Sequence, residues 1–218
     1  MFVFWRDLDA RRVYSEAIKH DDYWNSILAI RRPTHVDPFR IHEPVRSLSN
    51  TMIHLRTFTE ADLPAIASLF TASVHDLGAA HYDSKQLAAW APIPPDLETW
   101  AARLAGLHTI LAAAGSELAG FISYERNGHI EFLYTMPGFE RRGVASLLYQ
   151  HVQNNLSGVE QHVQNNLSGV ELFTEASLVA KPFFLRQGFH VVAEQSVIRR
   201  GVAFRRFAMR KAATRLPT

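Results

Sequence analysis

The chain contains no cysteine. That absence excludes disulfides, thiolate metal sites and a cysteine nucleophile together, and it fits a reducing compartment. Long apolar runs are missing too. No stretch approaches the roughly 20 residues that a membrane-spanning helix needs, so no membrane partner is expected. The opening Met1-Phe2-Val3-Phe4-Trp5-Arg6-Asp7 has too short an apolar run and no basic leader for a secretory signal, which makes the cytoplasm the expected location. Net charge is slight: 23 basic against 21 acidic residues give a formal +2, too little to imply a polyanionic partner. The charge is unevenly spread, because the chain from Arg199 onward holds seven basic residues and no acid. A solvated hairpin face accounts for that run. No base-stacking motif accompanies it, so nucleic acid is not an expected partner. His54, His75, His81 and His108 do not fall at metal-ligand spacing, and no metal is expected.

What is present is core. Apolar residues make up 47% of 218 and charged residues 20%, the profile of one ordinary globular domain with an appendage. Residues 1–51 read as the appendage. A partly helical stretch from Asp7 to Ile30 is followed by Arg32-Pro33-Thr34-His35-Val36-Asp37-Pro38 and His42-Glu43-Pro44, which break any regular element and read as a linker. The domain proper is expected over 52–218. Ile53 to Phe58 alternates like a half-buried strand. Thr59-Glu60-Ala61-Asp62 is a capping-box start for a helix carrying Leu63, Ile66, Leu69, Phe70 and Val74. Two short helices follow, opened by Asp83-Ser84 and by Pro94-Pro95-Asp96. Strands are predicted at His108–Ala113, Glu117–Arg126 and His129–Met136, with turns at Gly115-Ser116 and Asn127-Gly128. A helix after Gly143, a strand Val170–Thr174, a helix Leu178–Arg186 and a strand pair from Phe189 to Arg210 turning at Gly201 complete the order β-αα-βββ-α-β-α-ββ. That order predicts an α/β fold with helices on both faces of the sheet.

Residues 150–160, Gln-His-Val-Gln-Asn-Asn-Leu-Ser-Gly-Val-Glu, recur unchanged as residues 161–171. Eleven residues are about three helical turns with a phase error of about 20°, so the second copy is able to lengthen the preceding helix by roughly 16 Å on nearly the same face. Otherwise the helix stops at Gly158 and the second copy loops out. Two copies do not make a repeat array, and the segment reads as a recent duplication or an engineered insertion without chemistry of its own.

The chemistry-bearing stretch is Met136-Pro137-Gly138-Phe139-Glu140-Arg141-Arg142-Gly143-Val144-Ala145-Ser146, which leaves a strand and enters a helix. Gly143 and Ala145 let a phosphate approach the backbone. The unpaired N–H groups of the first helical turn converge there, with favourable dipole potential, and Arg141 and Arg142 add formal charge. The stretch lacks the lysine and hydroxyl of a P-loop and the three glycines of a dinucleotide turn. It resembles the Gln/Arg-x-x-Gly-x-Gly/Ala motif of the GNAT superfamily of N-acetyltransferases, with Glu140 in the first position as a departure. A second stretch, Glu175-Ala176-Ser177-Leu178 through Gly188-Phe189, resembles the closing signature of that family. Tyr82-Asp83-Ser84-Lys85-Gln86-Leu87-Ala88-Ala89-Trp90 resembles its YafP-like bacterial subgroup. The resemblance covers Met52 to about Lys211 and implies a GNAT-like mixed, mostly antiparallel sheet.

The resemblance further implies a V-shaped opening between the strands His129–Met136 and Val170–Thr174, holding acetyl-CoA as cosubstrate. Its pantetheine arm would bond the backbone of Leu133, Tyr134, Thr135 and Met136. Its pyrophosphate would meet the N–H groups of Arg141, Arg142, Gly143, Val144, Ala145 and Ser146. A backbone N–H near Leu133 would polarise the thioester carbonyl. The acceptor would be a primary amine, on a small molecule or a peptide, attacking directly in a ternary complex; a homodimer is compatible with this reading. An ammonium must first lose a proton, and Glu131 fits the base that relatives carry on this strand, among Ile130, Phe132 and Leu133. His129, two residues earlier on the same strand face, is the second candidate, while its place beside the Asn-Gly turn points to a plain surface role. Phe184 stands where relatives have a tyrosine that protonates the departing thiolate, so Tyr134, Ser177 or a water is left for that role. Ser177, at the position of an asparagine near the pantetheine arm, reads equally as a helix N-cap. Phe184 also leaves open a non-catalytic acyl-CoA-binding module. Tyr82, Trp90 and Trp100 are candidates for an acceptor-pocket wall or for plain core.

Overall fold

The computed structural model describes residues 52–157, 167–168 and 170–215. The expectations for residues 1–51 lie outside the described residues. Strand β1 (Ile53–Thr57) leads into a single 3-10 turn at Glu60–Asp62 and helix α1 (Leu63–Ala72), which continues as a π turn over Ser73–Leu77. The predicted capping box is present: Thr59 donates both its backbone N–H and its hydroxyl to Asp62, each at 2.9 Å. Helices α2 (Ser84–Trp90) and α3 (Leu97–Leu104) start where predicted, because the Asp83 and Asp96 carboxylates accept first-turn N–H groups that have no partner within the helix.

Strands β2 (His108–Ala114), β3 (Glu117–Tyr124) and β4 (Ile130–Thr135) form with β1 a four-stranded antiparallel sheet in chain order. Helix α4 (Val144–Ser157), a two-residue strand β5 (Leu167–Ser168), strand β6 (Leu172–Ala176) and helix α5 (Lys181–Arg186) follow. The long hairpin of β7 (His190–Arg199) and β8 (Val202–Lys211) turns at Gly201, and β9 (Thr214–Arg215) pairs with β5. Strands β6, β8 and β7 make a second antiparallel sheet in that order. Helices α1 to α3 bury Leu111, Phe121, Phe132 and Tyr134 on one face of the first sheet. On the other face α4 and α5 bury Ile110, Ile122 and Leu133. The packing is close enough that Gly120 on β3 has no room for a side chain: a Cβ there would stand 2.8 Å from Val144 and 2.9 Å from the Tyr134 carbonyl oxygen.

Strand β3 ends at Tyr124 rather than Arg126 and β4 spans Ile130–Thr135 rather than His129–Met136, and three further places differ from the sequence expectation. The strand expected at Val170–Thr174 lies two residues later, because its pairing with β8 runs from Leu172 opposite Lys211 to Ala176 opposite Phe207. The helix expected from Leu178 starts at Lys181: the Ser177 hydroxyl accepts the Ala180 N–H at 3.0 Å and closes a turn first. Residues Leu156-Ser157 of the first repeat copy are helical, whereas the identical Leu167-Ser168 of the second copy form β5. The second copy therefore does not carry α4 through to its own end; its residues 161–166 lie outside the described residues.

Candidate active site

The two sheets meet at one point. The Phe173 N–H donates to the Gly128 carbonyl at 3.1 Å, His129 pairs with Phe173 as a parallel bridge, and the Thr174 hydroxyl donates to the Ile130 carbonyl at 2.9 Å. Beyond this vertex β4 and β6 belong to separate sheets. The Met136 N–H is spent on β3, donating to the Ala119 carbonyl at 2.9 Å. Strand alternation then directs the N–H groups of Leu133 and Thr135 to the open edge. The β4 edge, on the side where the V is expected, has a donor pattern able to take an extended ligand as an added strand.

Glu131 sits in a β-bulge. Pairing runs Ser123 opposite Phe132 and then Tyr124 opposite Ile130, so Glu131 is the extra residue. A bulge re-aims a side chain, and here it sets the Glu131 carboxylate against His129, with Oε2 3.3 Å from Nδ1. The turn beside His129 argued for a surface position; the structure instead buries it completely. The second ring nitrogen, Nε2, lies 2.8 Å from Glu175 Oε2 on β6, and Glu125 Oε1 lies 3.9 Å from Nδ1. The ring stacks on Phe173 with centroids 4.8 Å apart. Sequence reasoning quoted Glu175 within a signature and gave it no role. Parallel alignment of the two V strands was the available signal: with His129 opposite Phe173, Glu175 stands level with Glu131.

The loop into α4 is curled. Arg141 and Gly143 have φ of 59° and 83°, and Gly138 has 89°. Left-handed positions set between ordinary ones curl the loop, and the first-turn N–H groups of Val144, Ala145 and Ser146 are free to face a ligand there. Nothing lies within 4 Å of where a Cβ on Gly143 would stand, so the space there is open. Glu140, the departure from the family pattern, is occupied locally: its two carboxylate oxygens accept the Gly138 N–H at 3.0 and 2.9 Å. The Arg142 guanidinium lies 4.9 Å from the Phe139 ring centroid, while Phe139 itself is buried and anchors the loop.

The remaining predicted residues sit in core. Tyr134 is fully buried between the Phe70 ring at 4.8 Å and the Phe121 ring at 5.7 Å, and burial pushes its phenol far up. Phe184 is fully buried against Phe183 and Phe189. Ser177 is buried and is not the N-cap of α5, which is Ala180; its hydroxyl closes the preceding turn. Tyr82, Trp90 and Trp100 belong to the core on the α1–α3 face, and the Tyr82 hydroxyl also accepts the Leu178 N–H at 3.1 Å. Burial is the largest cause that lowers the Arg103 guanidinium, to about 10, followed by the charge of Arg200; Tyr134, Asp96 and Glu131 oppose them. Among the described residues no group of three or more His, Asp or Glu side chains is placed to hold a metal, and no helix is long and apolar enough to cross a membrane. A separate cavity of about 480 Å³ between β1, β2 and α4 is lined by Phe58, His108, Tyr124 and His151 and contains none of the predicted site residues.

Residues 78–211 match the acetyltransferase (GNAT) domain model. The chain is 34% identical over 158 residues to the N-acetyltransferase YafP of Escherichia coli K12, covering 72% of this chain and 95% of YafP. It belongs to the GNAT family of N-acetyltransferases. A GCN5-related N-acetyltransferase of Rhodopseudomonas palustris superposes with a TM-score of 0.65 at 30% identity, over 73% of this chain and 94% of that one. The PaiA N-acetyltransferase of Thermoplasma acidophilum, solved in complex with coenzyme A, has the same fold, with a TM-score of 0.52 at 18% identity over 73% of this chain and 98% of that one.

Proposed function

We propose that the chain moves the acetyl group of acetyl-CoA to a primary amine, on a small molecule or a peptide, by direct attack in a ternary complex. The observation that carries this reading is Glu131, re-aimed by the β4 bulge beside the open edge of the V. The absence of cysteine removes the thiol that a covalent acetyl-enzyme would use. In this reading the N–H groups of Leu133 and Thr135 hold the pantetheine arm, and the Leu133 N–H polarises the thioester carbonyl. The amides of the α4 first turn, with Arg141 and Arg142 beside them, take the pyrophosphate. Glu131 accepts a proton from the ammonium, directly or through water, because only the free amine attacks. As the C–S bond breaks, the second amine proton is lost and neutralises the thiolate through water. A tyrosine acid is then not required, in keeping with the burial of Phe184 and Tyr134 in apolar clusters.

The domain is proposed to run from Met52 to the end, with the cytoplasm as its location. The basic hairpin is not proposed as a nucleic-acid surface, since Arg205 pairs with Glu194, Arg210 with Glu171, and Lys211 donates to the Tyr149 hydroxyl. Thermal shift with acetyl-CoA, followed by thiol release over a panel of primary amines, tests the reading. Stabilisation and turnover are expected, with turnover in Glu131→Gln reduced about 100-fold or more at neutral pH. Stabilisation without turnover on any amine returns the chain to an acyl-CoA-binding module, and unchanged turnover in Glu131→Gln rejects the assigned base.

A further inference from the structure

The site contains a buried imidazole that the reaction as written does not use. His129 has no exposed surface, yet both ring nitrogens face carboxylates from different strands: Glu131 on β4 at 3.3 Å and Glu175 on β6 at 2.8 Å. Glu125, at the end of the β3–β4 turn, completes the acidic surroundings at 3.9 Å, and Arg210 on β8 lies behind the Phe173 ring, 5.2 Å from its centroid. A carboxylate has no hydrogen to give, so the 2.8 Å contact requires Nε2 to carry the hydrogen and donate it to Glu175. The Nδ1 lone pair then faces Glu131. Two acceptors at 3.3 Å repel each other unless a proton lies between them. The geometry therefore makes Nδ1 a receptacle for a proton arriving at Glu131.

We propose that Glu175 and His129 are positioning residues that form a proton store behind the general base. This rests on the assignment of Glu131 as that base. Glu175 fixes the imidazole with hydrogen on Nε2 and so keeps Nδ1 free. The ammonium gives its proton to a Glu131 oxygen, which becomes a neutral acid. That proton moves to Nδ1, leaving Glu131 ionised again and His129 an imidazolium held between the two carboxylates. The freed amine attacks, and the stored proton returns to water from Nδ1 through Glu131 after the products leave. No oxidant, metal or further reactant enters the step. The store also explains why the vertex of the V carries an imidazole whose ring is clamped against Phe173: a ring free to rotate would lose the Nδ1–Glu131 alignment.

Two measurements test this, one of them independent of turnover. Nitrogen-15 histidine NMR of the whole chain, with His129 assigned by its loss in His129→Gln, is expected to show hydrogen on Nε2 and an acceptor Nδ1 at the alkaline end of the titration. Glu175→Gln is expected to shift that tautomer balance and Glu131→Gln to shift the Nδ1 signal. A ring carrying its hydrogen on Nδ1, or signals unmoved by both substitutions, overturns the proposal. For turnover, an amine from the panel is assayed with acetyl-CoA. Glu175→Gln and His129→Gln are each expected to lower kcat about 10- to 100-fold with KM for acetyl-CoA unchanged, and Glu175→Asp to recover part of the loss. Loss in Glu131→Gln alone, with both other variants at wild-type kcat, sinks the store and spares the base. Wild-type kcat in Glu131→Gln sinks the base and the store with it. Thermal unfolding of each variant separates a lost fold from a lost proton path.

Discussion

Replacing Gly128 with alanine tests the vertex of the V directly. Gly128 has φ of 92°, outside the range that a side chain tolerates without strain, and a Cβ there would stand 2.1 Å from the Glu171 carbonyl oxygen and 3.1 Å from its carbon. Both obstructing atoms are backbone, so no rotamer change relieves the contact. Relief requires the start of β6 to move away, and that movement loosens the Phe173-to-Gly128 hydrogen bond and the His129–Phe173 bridge. The left-handed backbone costs about 1–2 kcal/mol for a residue with a side chain, and forcing a methyl group into filled space costs about 1–3 kcal/mol more. The expected loss is about 2–5 kcal/mol, read in urea as a lower unfolding midpoint with unchanged slope. Gly143→Ala is the control: its φ of 83° is similar, but nothing lies within 4 Å of the added carbon, so only strain of about 1–2 kcal/mol is expected. A Gly128→Ala variant that loses no more than Gly143→Ala refutes the argument that β4 and β6 are held in backbone contact at that point.

Tyr82→Phe removes the acceptor of the half-buried Leu178 N–H, and about 1 kcal/mol of stability is expected to go with it at neutral pH. The same residue has an alkaline signature. Burial pushes the Tyr82 phenol up to about 12, against the opposing hydrogen bonds of Leu178 and Ser177. An unfolded phenol ionises near pH 10. Above that pH the unfolded chain therefore binds fewer protons than the folded one, so the stabilisation is present below pH 10 and is lost as pH rises toward 12. Chemical unfolding at pH 9 to 12 is expected to show a shallower decline in Tyr82→Phe; an unchanged slope rejects the assignment. At the other end of the scale, the Arg56 side chain is the largest cause holding Asp62 well below the usual carboxylate range, with the Thr59 bonds adding to it. Asp62→Asn is expected to cost about 1 kcal/mol at pH 7, and the gap from wild type to narrow as pH falls below 4, where the wild-type carboxylate begins to take up protons in the unfolded chain. A gap that is constant from pH 7 to pH 3 counts against the ion pair.

The fold was largely legible because its signals are local. The capping box at Thr59, the Asp83 and Asp96 caps and the Gly201 turn each act within four residues, and each produced the predicted boundary; the Asn127-Gly128 turn formed too, with strand ends at Tyr124 and Ile130 rather than Arg126 and His129. The boundaries that moved are those set at a distance. The start of β6 is fixed by the register of Leu172 with Lys211 on β8, 39 residues on, and by the approach of Gly128 to Glu171, neither of which leaves a mark on the residues around Val170. The repeat makes the same point more sharply. Two identical Leu-Ser pairs, Leu156-Ser157 and Leu167-Ser168, have one sequence and two conformations, because one continues a helix whose apolar face is already buried and the other meets β9. Local propensity is a weak prior once a partner strand is available.

The site divides along the same line. Gly143, Arg141 and the first turn of α4 were readable, since a cradle of backbone N–H groups needs only a strand, a tight turn and a helix in succession. Glu131 was readable as a carboxylate on the right strand, but the bulge that aims it was not, because a bulge is a mismatch between two strands and neither strand alone contains it. His129 was placed near the surface by its neighbour, the turn; the structure buries it because β6, 44 residues away, closes over that turn. Glu175 carried no signal until β6 was laid parallel to β4. At the vertex His129 lies opposite Phe173, and Glu175, two residues on, reaches back to the His129 ring. A buried imidazole and a buried acid with two half-buried acids beside them are costly to assemble unless protons and hydrogen bonds satisfy them. That cost falls at the one place where the proposed reaction must collect a proton, and the same cluster joins the two sheets. The vertex is thus both a structural joint and the proposed proton site. A substitution there that leaves folding intact and removes turnover separates the two roles, and Glu175→Gln, which keeps the hydrogen-bonding shape and discards the charge, is the substitution suited to it.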